Sequence, residues 1–342
     1  MPENPADKPD SSRVWMGADD ALGDDDAVGV ADRISSGEIS AAEAVDAAIE
    51  RAERAEPLIA AFATTDFDRA RQRASGQVTG RFAGLPTAMK DQTAVAGLPL
   101  GLGSQALDGA GPSVSSSPIT KVFESVGTIS LGTTTLPEFG LTSSSDFHHG
   151  PPTRNPWNRD HIAGGSSSGA AALVAAGVVP MAHGGDGGGS IRIPAAACGL
   201  VGLKPSRGRL PHENDVARLP VKISAYGVLS RSVGDQCAFL AAAERYFPQP
   251  ALPPVGLVDR PLDRPLRIGV LSTSPVNRTP ASSVVDAVAD TASLLEQLGH
   301  HVTVIDEARR LLFAAHSCRF KHDVPSGLDV FLGGCPATQP CQ

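Results

Sequence analysis

The densest chemistry in the chain lies in residues 164–205, GGSSSGAAALVAAGVVPMAHGGDGGGSIRIPAAACGLVGLKPS, where two serine-bearing glycine turns flank an apolar segment. Gly187, Gly188 and Gly189 precede Ser190, and glycine lets successive backbone N–H groups converge on one concavity. A tetrahedral oxyanion is stabilised by donors fixed in that way before the reaction begins. Ser190 would present its hydroxyl at the mouth of such a nest. Either turn alone also fits a flexible loop, but Ile191, Ile193 and Pro194 lead the chain into a segment of buried type that a linker would not need.

A serine hydroxyl needs an activating base. His148, His149, His161 and His183 are near in sequence, yet none sits in a triad signature, and each also fits as a loop or strand-end residue. Lys90 ends the apolar run Leu85–Met89. Burial there would favour the neutral amine, which can accept a proton; a lysine snorkelling from a strand end is the plain alternative. Gly165–Gly169 also satisfies G-x-S-x-G with Ser167 at its centre, and HGG at 183–185 is similar to a lipase oxyanion motif. In an α/β-hydrolase, however, the HGG-type loop precedes the elbow and a strand runs into it; here the order is reversed. A Ser-x-x-Lys enzyme is excluded, because no lysine follows a serine by three positions.

These residues resemble a known family. Gly164–Gly208 resembles the amidase signature, and GLPTAMKD (84–91) is similar to the segment that carries that family's catalytic lysine. GTTTLPEFGLT (132–142) and TRNPWN (153–158) are further family-like stretches, and the likeness runs from about Ser36 to Ile305. The resemblance implies Ser190 as nucleophile, Lys90 as base, and Ser166 as the bridging serine with a cis peptide bond. Ser166 and Ser190 lie 24 residues apart, as the family motif expects. It further implies an oxyanion hole from the N–H groups of Gly187, Gly188, Gly189 and Ser190. Asp186 and Arg192 would fix the turn, with a surface ion pair as their plain alternative.

The implied activity is cleavage of a linear or cyclic carboxamide through an acyl-enzyme, on a small-molecule amide, with no cofactor and no metal. The DGGGS form and its HGGDGGGSIRIPA context resemble cyclic-dimer amide hydrolases of the 6-aminohexanoate (nylon-oligomer) type. Ser168 and Ala170 depart from the family's usual GGSSGG, and Gly187 replaces a more usual Thr or Ile; both changes keep side chains small. Family members are usually longer, so the sheet is expected to be truncated at its C-terminal side. A glutaminase (A) component of a tRNA-dependent amidotransferase and an inactive truncated homologue therefore stay open.

The elements that must position these groups are legible as α/β. A helix starts at Ser40, with Glu43 completing a capping box and Pro57 expected to end it. A second helix spans Phe67–Ala74. Residues 85–91, 127–134 and 177–185 read as buried strands or strand ends, and Ala170–Ala176 as an alanine-rich helix between them. Strand 267–273, helix Val284–Leu298 closed by Gly299, and strand 301–306 form an expected βαβ unit. With the resemblance, the fold class is an amidase-signature α/β/α sandwich around a mixed, largely buried sheet.

Composition narrows the classes further. Hydrophobic residues make up 41% and aromatics 4%, with 36 Gly and 28 Pro, which suits a loop-rich α/β enzyme. The net charge of -8 argues against nucleic acid as a partner. No apolar run approaches the roughly 18 residues of a membrane span, and no signal peptide is visible, so a cytoplasmic location is expected. Five cysteines without a C-x-x-C pair argue against zinc or a disulfide framework. A second copy of the chain, in a homodimer, is the one protein partner entertained. The expected organisation is an acidic, poorly ordered tail over 1–30, one domain over 31–312, and an off-pattern tail over 313–342.

Overall fold

A computed structural model of the protein describes residues 13–17, 19–147, 150–212, 223–272 and 279–305. Helix α1 (Ala27–Ser36) starts where the Asp26 carboxylate accepts the Gly29 N–H. Helix α2 (Ala41–Ile59) carries both halves of the Ser40–Glu43 capping box, at 3.1 and 2.7 Å. It buries a face of Ala44, Ala48, Ile49, Ala52 and Ala55. Pro57 does not end it. A proline there forfeits its own N–H bond and crowds the carbonyl one turn back, yet the helix closes beyond it, where Ala60 donates to the Glu56 carbonyl at 2.9 Å.

The acidic N-terminal stretch is not a solvated tail over its described part. Arg51 of α2 is buried, and a buried guanidinium demands a carboxylate. Asp20 supplies it, accepting from Arg51 Nε at 2.8 Å, while Arg51 Nη1 donates to the Gly177 carbonyl at 2.7 Å. The N–H groups of Val14 and Met16 bond the Pro156 and Ala176 carbonyls, each at 2.7 Å. Residues 1–12, the rest of the expected tail, lie outside the described residues, as does all of 306–342.

The strands form two three-stranded ladders. In the first, β2 (Pro86–Lys90) runs parallel to β3 (Ile129–Thr134), and β1 (Phe62–Thr65) runs antiparallel to β3. In the second, β6 (Met181–Asp186) and β7 (Val201–Gly202) both pair antiparallel with β8 (Ala225–Ser230). The two ladders abut along β2 and β6, where Thr87 Oγ1 donates to the Met181 carbonyl at 2.9 Å. Strands β2, β6 and β8 are buried at every position, as expected of a sheet covered on both faces. Helix α5 (Ser168–Ala175), itself buried all round, packs on β2, β3, β6 and β8. On the side faced by His183 lie α4 (Pro118–Ser125) and α7 (Val233–Tyr246), through Phe123 and Phe239. Helix α3 (Phe67–Ala74), the short ladder of β4 (Arg154–Asn155) with β5 (Asn158–Ile162), and α6 (Arg192–Ala197) complete this unit.

The chain separates at residue 259 into two compact units, 1–259 and 260–342. The described part of the second unit is β9 (Arg267–Val270), α8 (Ser282–Gln297) and β10 (His301–Val304), with β9 and β10 parallel. This is the expected βαβ unit, each strand stopping short of the apolar run that announced it. Among the described residues no helix is long and apolar enough to cross a membrane.

Candidate active site

Lys90 is the last residue of β2 and is fully buried, so its ammonium would have to form away from water. Burial pushes it down from the ordinary 10.5 to about 7, with the Asp186 carboxylate pulling the other way. Its Nζ lies 2.8 Å from Ser166 Oγ and 3.5 Å from the Gly185 carbonyl. A neutral amine in that position can donate one N–H to Gly185 and turn its lone pair to the Ser166 hydroxyl.

Ser166 is buried and follows a cis peptide bond from Gly165. The turn then enters α5, which lies hard against the chain: a Cβ on Gly169 would occupy the place of the Ala61 carbonyl oxygen. Ser167, the serine of G-x-S-x-G, is fully buried. Its Oγ lies 3.3 Å from the Gly185 N–H, which it accepts, and 3.4 Å from the Gly185 carbonyl, to which it donates. It ties α5 to β6 and has no access to a substrate.

Ser190 ends a loop built around one carboxylate. Asp186 accepts N–H bonds from Gly189 at 2.7 Å, Ile191 at 3.2 Å and Arg192 at 3.3 Å. The Arg192 side chain adds two bonds of 2.9 Å, from Nε and Nη2. Burial alone would raise the Asp186 carboxyl, but the Arg192 guanidinium and the N–H donors hold it below its ordinary value. Gly189 has φ +129°, a conformation closed to side-chain-bearing residues. Asp186 and Arg192 therefore hold the turn, with Arg192 half exposed.

This corrects the oxyanion expectation at one position. The Gly189 N–H is taken by Asp186, so three of the four expected donors remain: among the described residues no protein acceptor takes the N–H groups of Gly187, Gly188 or Ser190. The Ser190 carbonyl accepts the Ser167 N–H at 3.1 Å, which brings this loop beside Ser166. Ser190 is half-buried, whereas Ser166 and Lys90 are buried.

Of the histidines, His183 is buried and faces the Lys90 backbone, and His161 stands exposed on β5; His148 and His149 lie outside the described residues. Sequence reasoning missed Gln92. A Cβ on Gly140 would come within 3.2 Å of Ser166 Oγ and 3.4 Å of Gln92 Nε2, and one on Gly185 within 3.3 Å of Gln92 Oε1. Gln92 thus lines the site between two glycines, and its place two positions after Lys90 was the available signal. Among the described residues no group of three or more His, Cys, Asp or Glu could hold a metal ion. A cavity of about 230 Å³ lined by Thr87, Met89 and Phe123 lies on the face of β2 opposite Lys90, because strand residues alternate.

Comparison with known proteins bears on this arrangement. A sequence model of the Amidase family matches residues 43–316. AmiC of Mycobacterium tuberculosis, an amidase by name, is 51% identical over 298 residues, covering 86% of this chain and 62% of that protein. The solved structure of 6-aminohexanoate cyclic dimer hydrolase with substrate superposes with a TM-score of 0.75 at 32% identity, covering 82% of this chain and 61% of that one. The A component of the glutamyl-tRNA(Gln) amidotransferase of Halothermothrix orenii is 37% identical over 217 residues, 64% of this chain and 45% of that protein. The chain thus spans less than two thirds of the length of each of these three relatives.

Proposed function

The chain belongs to the amidase family, and from that premise we propose that it hydrolyses a linear or cyclic carboxamide through an acyl-enzyme on Ser190, with Ser166 and Lys90 as proton relay. The observation that carries the reading is the 2.8 Å contact between Lys90 Nζ and Ser166 Oγ in a fully buried setting. Such burial supplies a lysine that is a base near neutral pH. Ser190 Oγ attacks the amide carbon as its proton passes to Ser166 Oγ, whose own proton passes to Lys90 Nζ. The negative charge that develops on the carbonyl oxygen faces the N–H groups of Gly187, Gly188 and Ser190. Collapse of the adduct breaks the C–N bond, and the relay returns a proton to the leaving nitrogen. Water then attacks the ester by the same route, leaving a carboxylic acid and free Ser190.

The likeness to 6-aminohexanoate cyclic dimer hydrolase supports an uncharged, compact amide as substrate. The experiment is amine release by purified protein from that cyclic dimer and from a panel of simple acyl amides, with Ser190→Ala as control. Turnover lost in Ser190→Ala supports the proposal; turnover that survives the substitution rejects it. Likeness to the A component of the amidotransferases makes glutamine the informative member of the panel. Ammonia released from glutamine only with the other amidotransferase components present would move the assignment to a glutaminase.

A further inference from the structure

β2 and β6 run side by side, yet no backbone ladder joins them among the described residues. Side chains cross this seam instead. Besides the Thr87 bond to Met181, the Lys90 N–H donates to His183 Nδ1 at 3.2 Å. The seam runs through the site: Lys90 stands on the β2 side, while β6 leads into the loop of Ser190 and is tied by Ser167 to the turn of Ser166. A slip along it would part the lysine from its serine.

His183 is fitted to this place. Its ring packs on Phe123 of α4 (centroids 5.3 Å apart, 83° between planes) and on Tyr226 of β8 (5.2 Å, 49°). Nδ1 accepts a hydrogen bond, so the proton of the neutral ring sits on Nε2, which has no partner among the described residues. An unpaired buried N–H is costly, and an apolar residue would fill the same space without it. Packing alone therefore does not explain a histidine here; the acceptor at Nδ1 does. Burial, and next the Lys90 charge, push the imidazole down to about 3, so it stays uncharged. The titratable and charged groups around it are Lys90 from β2, Asp186 further along β6 with Arg192 of α6 upon it, and Tyr226 from β8, against whose far neighbour His212 that ring also packs. Helix α4 presents the Phe123 ring to it.

We propose that His183 is a positioning residue: its imidazole stands in for a missing ladder bond and holds the Lys90 end of β2 in register with the Ser166–Ser190 half of the site. The catalytic consequence rests on the amidase reading above; the seam itself does not. Two variants separate acceptor from bulk. His183→Asn keeps an acceptor oxygen near the place of Nδ1, and His183→Leu removes it. Exchange of the Lys90 amide hydrogen is expected to be at least tenfold faster in His183→Leu and within threefold of wild type in His183→Asn. The rate at which a fluorophosphonate labels Ser190 is expected to fall at least tenfold in His183→Leu and to be rescued in His183→Asn.

If the two variants exchange alike, the proposal is overturned; if exchange separates them but labelling does not, its positioning role is overturned. Wild-type protein that never labels, in the presence of the expected exchange pattern, would sink the amidase reading and leave the seam standing. Should His183→Leu fail to fold, imidazole ¹⁵N shifts of the wild-type protein decide. Nδ1 unprotonated and Nε2 protonated from about pH 5 to 9 supports the assignment, and a protonated Nδ1 overturns it.

Discussion

Replacing Lys90 by Met should stabilise the protein at neutral pH while abolishing its activity. The lysine loses its proton near 7 in the folded chain and at 10.5 ordinarily. Between those values the unfolded state binds more protons than the folded state, so stability rises with pH across that window and is lowest below it. At about 1.4 kcal/mol per pH unit, burying this group costs about 5 kcal/mol at pH 7 or below. Methionine has nearly the same length, adapts to irregular space and carries no charge. The variant leaves the Ser166 hydroxyl without its 2.8 Å partner, a loss of about 1 kcal/mol or somewhat more. The expected net gain at pH 7 is therefore roughly 2–4 kcal/mol, shrinking towards zero by about pH 10. Urea denaturation of wild type and Lys90→Met side by side at both pH values reads the difference, since other titrating groups cancel. A Lys90→Met protein less stable than wild type at pH 7, or a difference that does not change with pH, would refute the reasoning that burial keeps this lysine neutral.

The two adjacent serines should part company. Ser166→Ala removes the relay and should slow acylation of Ser190 by about 10²–10⁴-fold, whereas Ser167→Ala should leave labelling of Ser190 in place and lower stability by about 1 kcal/mol; the reverse pattern would restore the elbow reading. Around the turn, Arg192→Ala should cost no more than about 1 kcal/mol in denaturation, because its side chain is 51% exposed. Asp186→Ala should cost roughly 3 kcal/mol, since three N–H donors lose their acceptor together, and equal costs would contradict the organising role given to Asp186. Asp235, at the start of α7, accepts the Val28 N–H at 3.0 Å, and burial with Asp26 nearby raises it from 3.8 to about 6. The folded state holds that proton through the window from 3.8 to about 6, so its stability falls as pH rises through it. Asp235→Asn should gain roughly 2–3 kcal/mol at pH 7 and little at pH 4 in thermal or urea unfolding.

The parts of this fold that announce themselves in sequence are those set by local chemistry. Ser40 and Glu43 foretold the start of α2, and Phe67–Ala74 is a helix at the expected bounds. The apolar runs at 85–91, 127–134 and 177–185 each overlap a strand. What stayed hidden depends on distant partners. Asp20 reads as one more acid in a polar stretch until Arg51, 31 residues away, is seen to need it. Pro57 looked like a terminator because a sequence shows the missing donor and not the packing that carries the helix past it. The site divides in the same way. The motifs single out Lys90, Ser166 and Ser190 as candidates, and of these the Lys90–Ser166 pair is in hydrogen-bond contact across 76 residues. The occupation of the Gly189 N–H by Asp186, the tie of Ser167 to β6 and the bond from Lys90 to His183 are properties of the folded loops, and no spacing rule could supply them.

The most direct test of the amidase account is to treat the protein with a fluorophosphonate and map the adduct by peptide mass spectrometry, with labelling rates taken across pH. One adduct per chain is expected, on Ser190. Its rate should rise with pH to a plateau, with a midpoint near the value of about 7 set by the buried Lys90, and the adduct should be absent in Ser190→Ala. An adduct on Ser167, or a folded wild-type chain that takes no label at any pH, would contradict it.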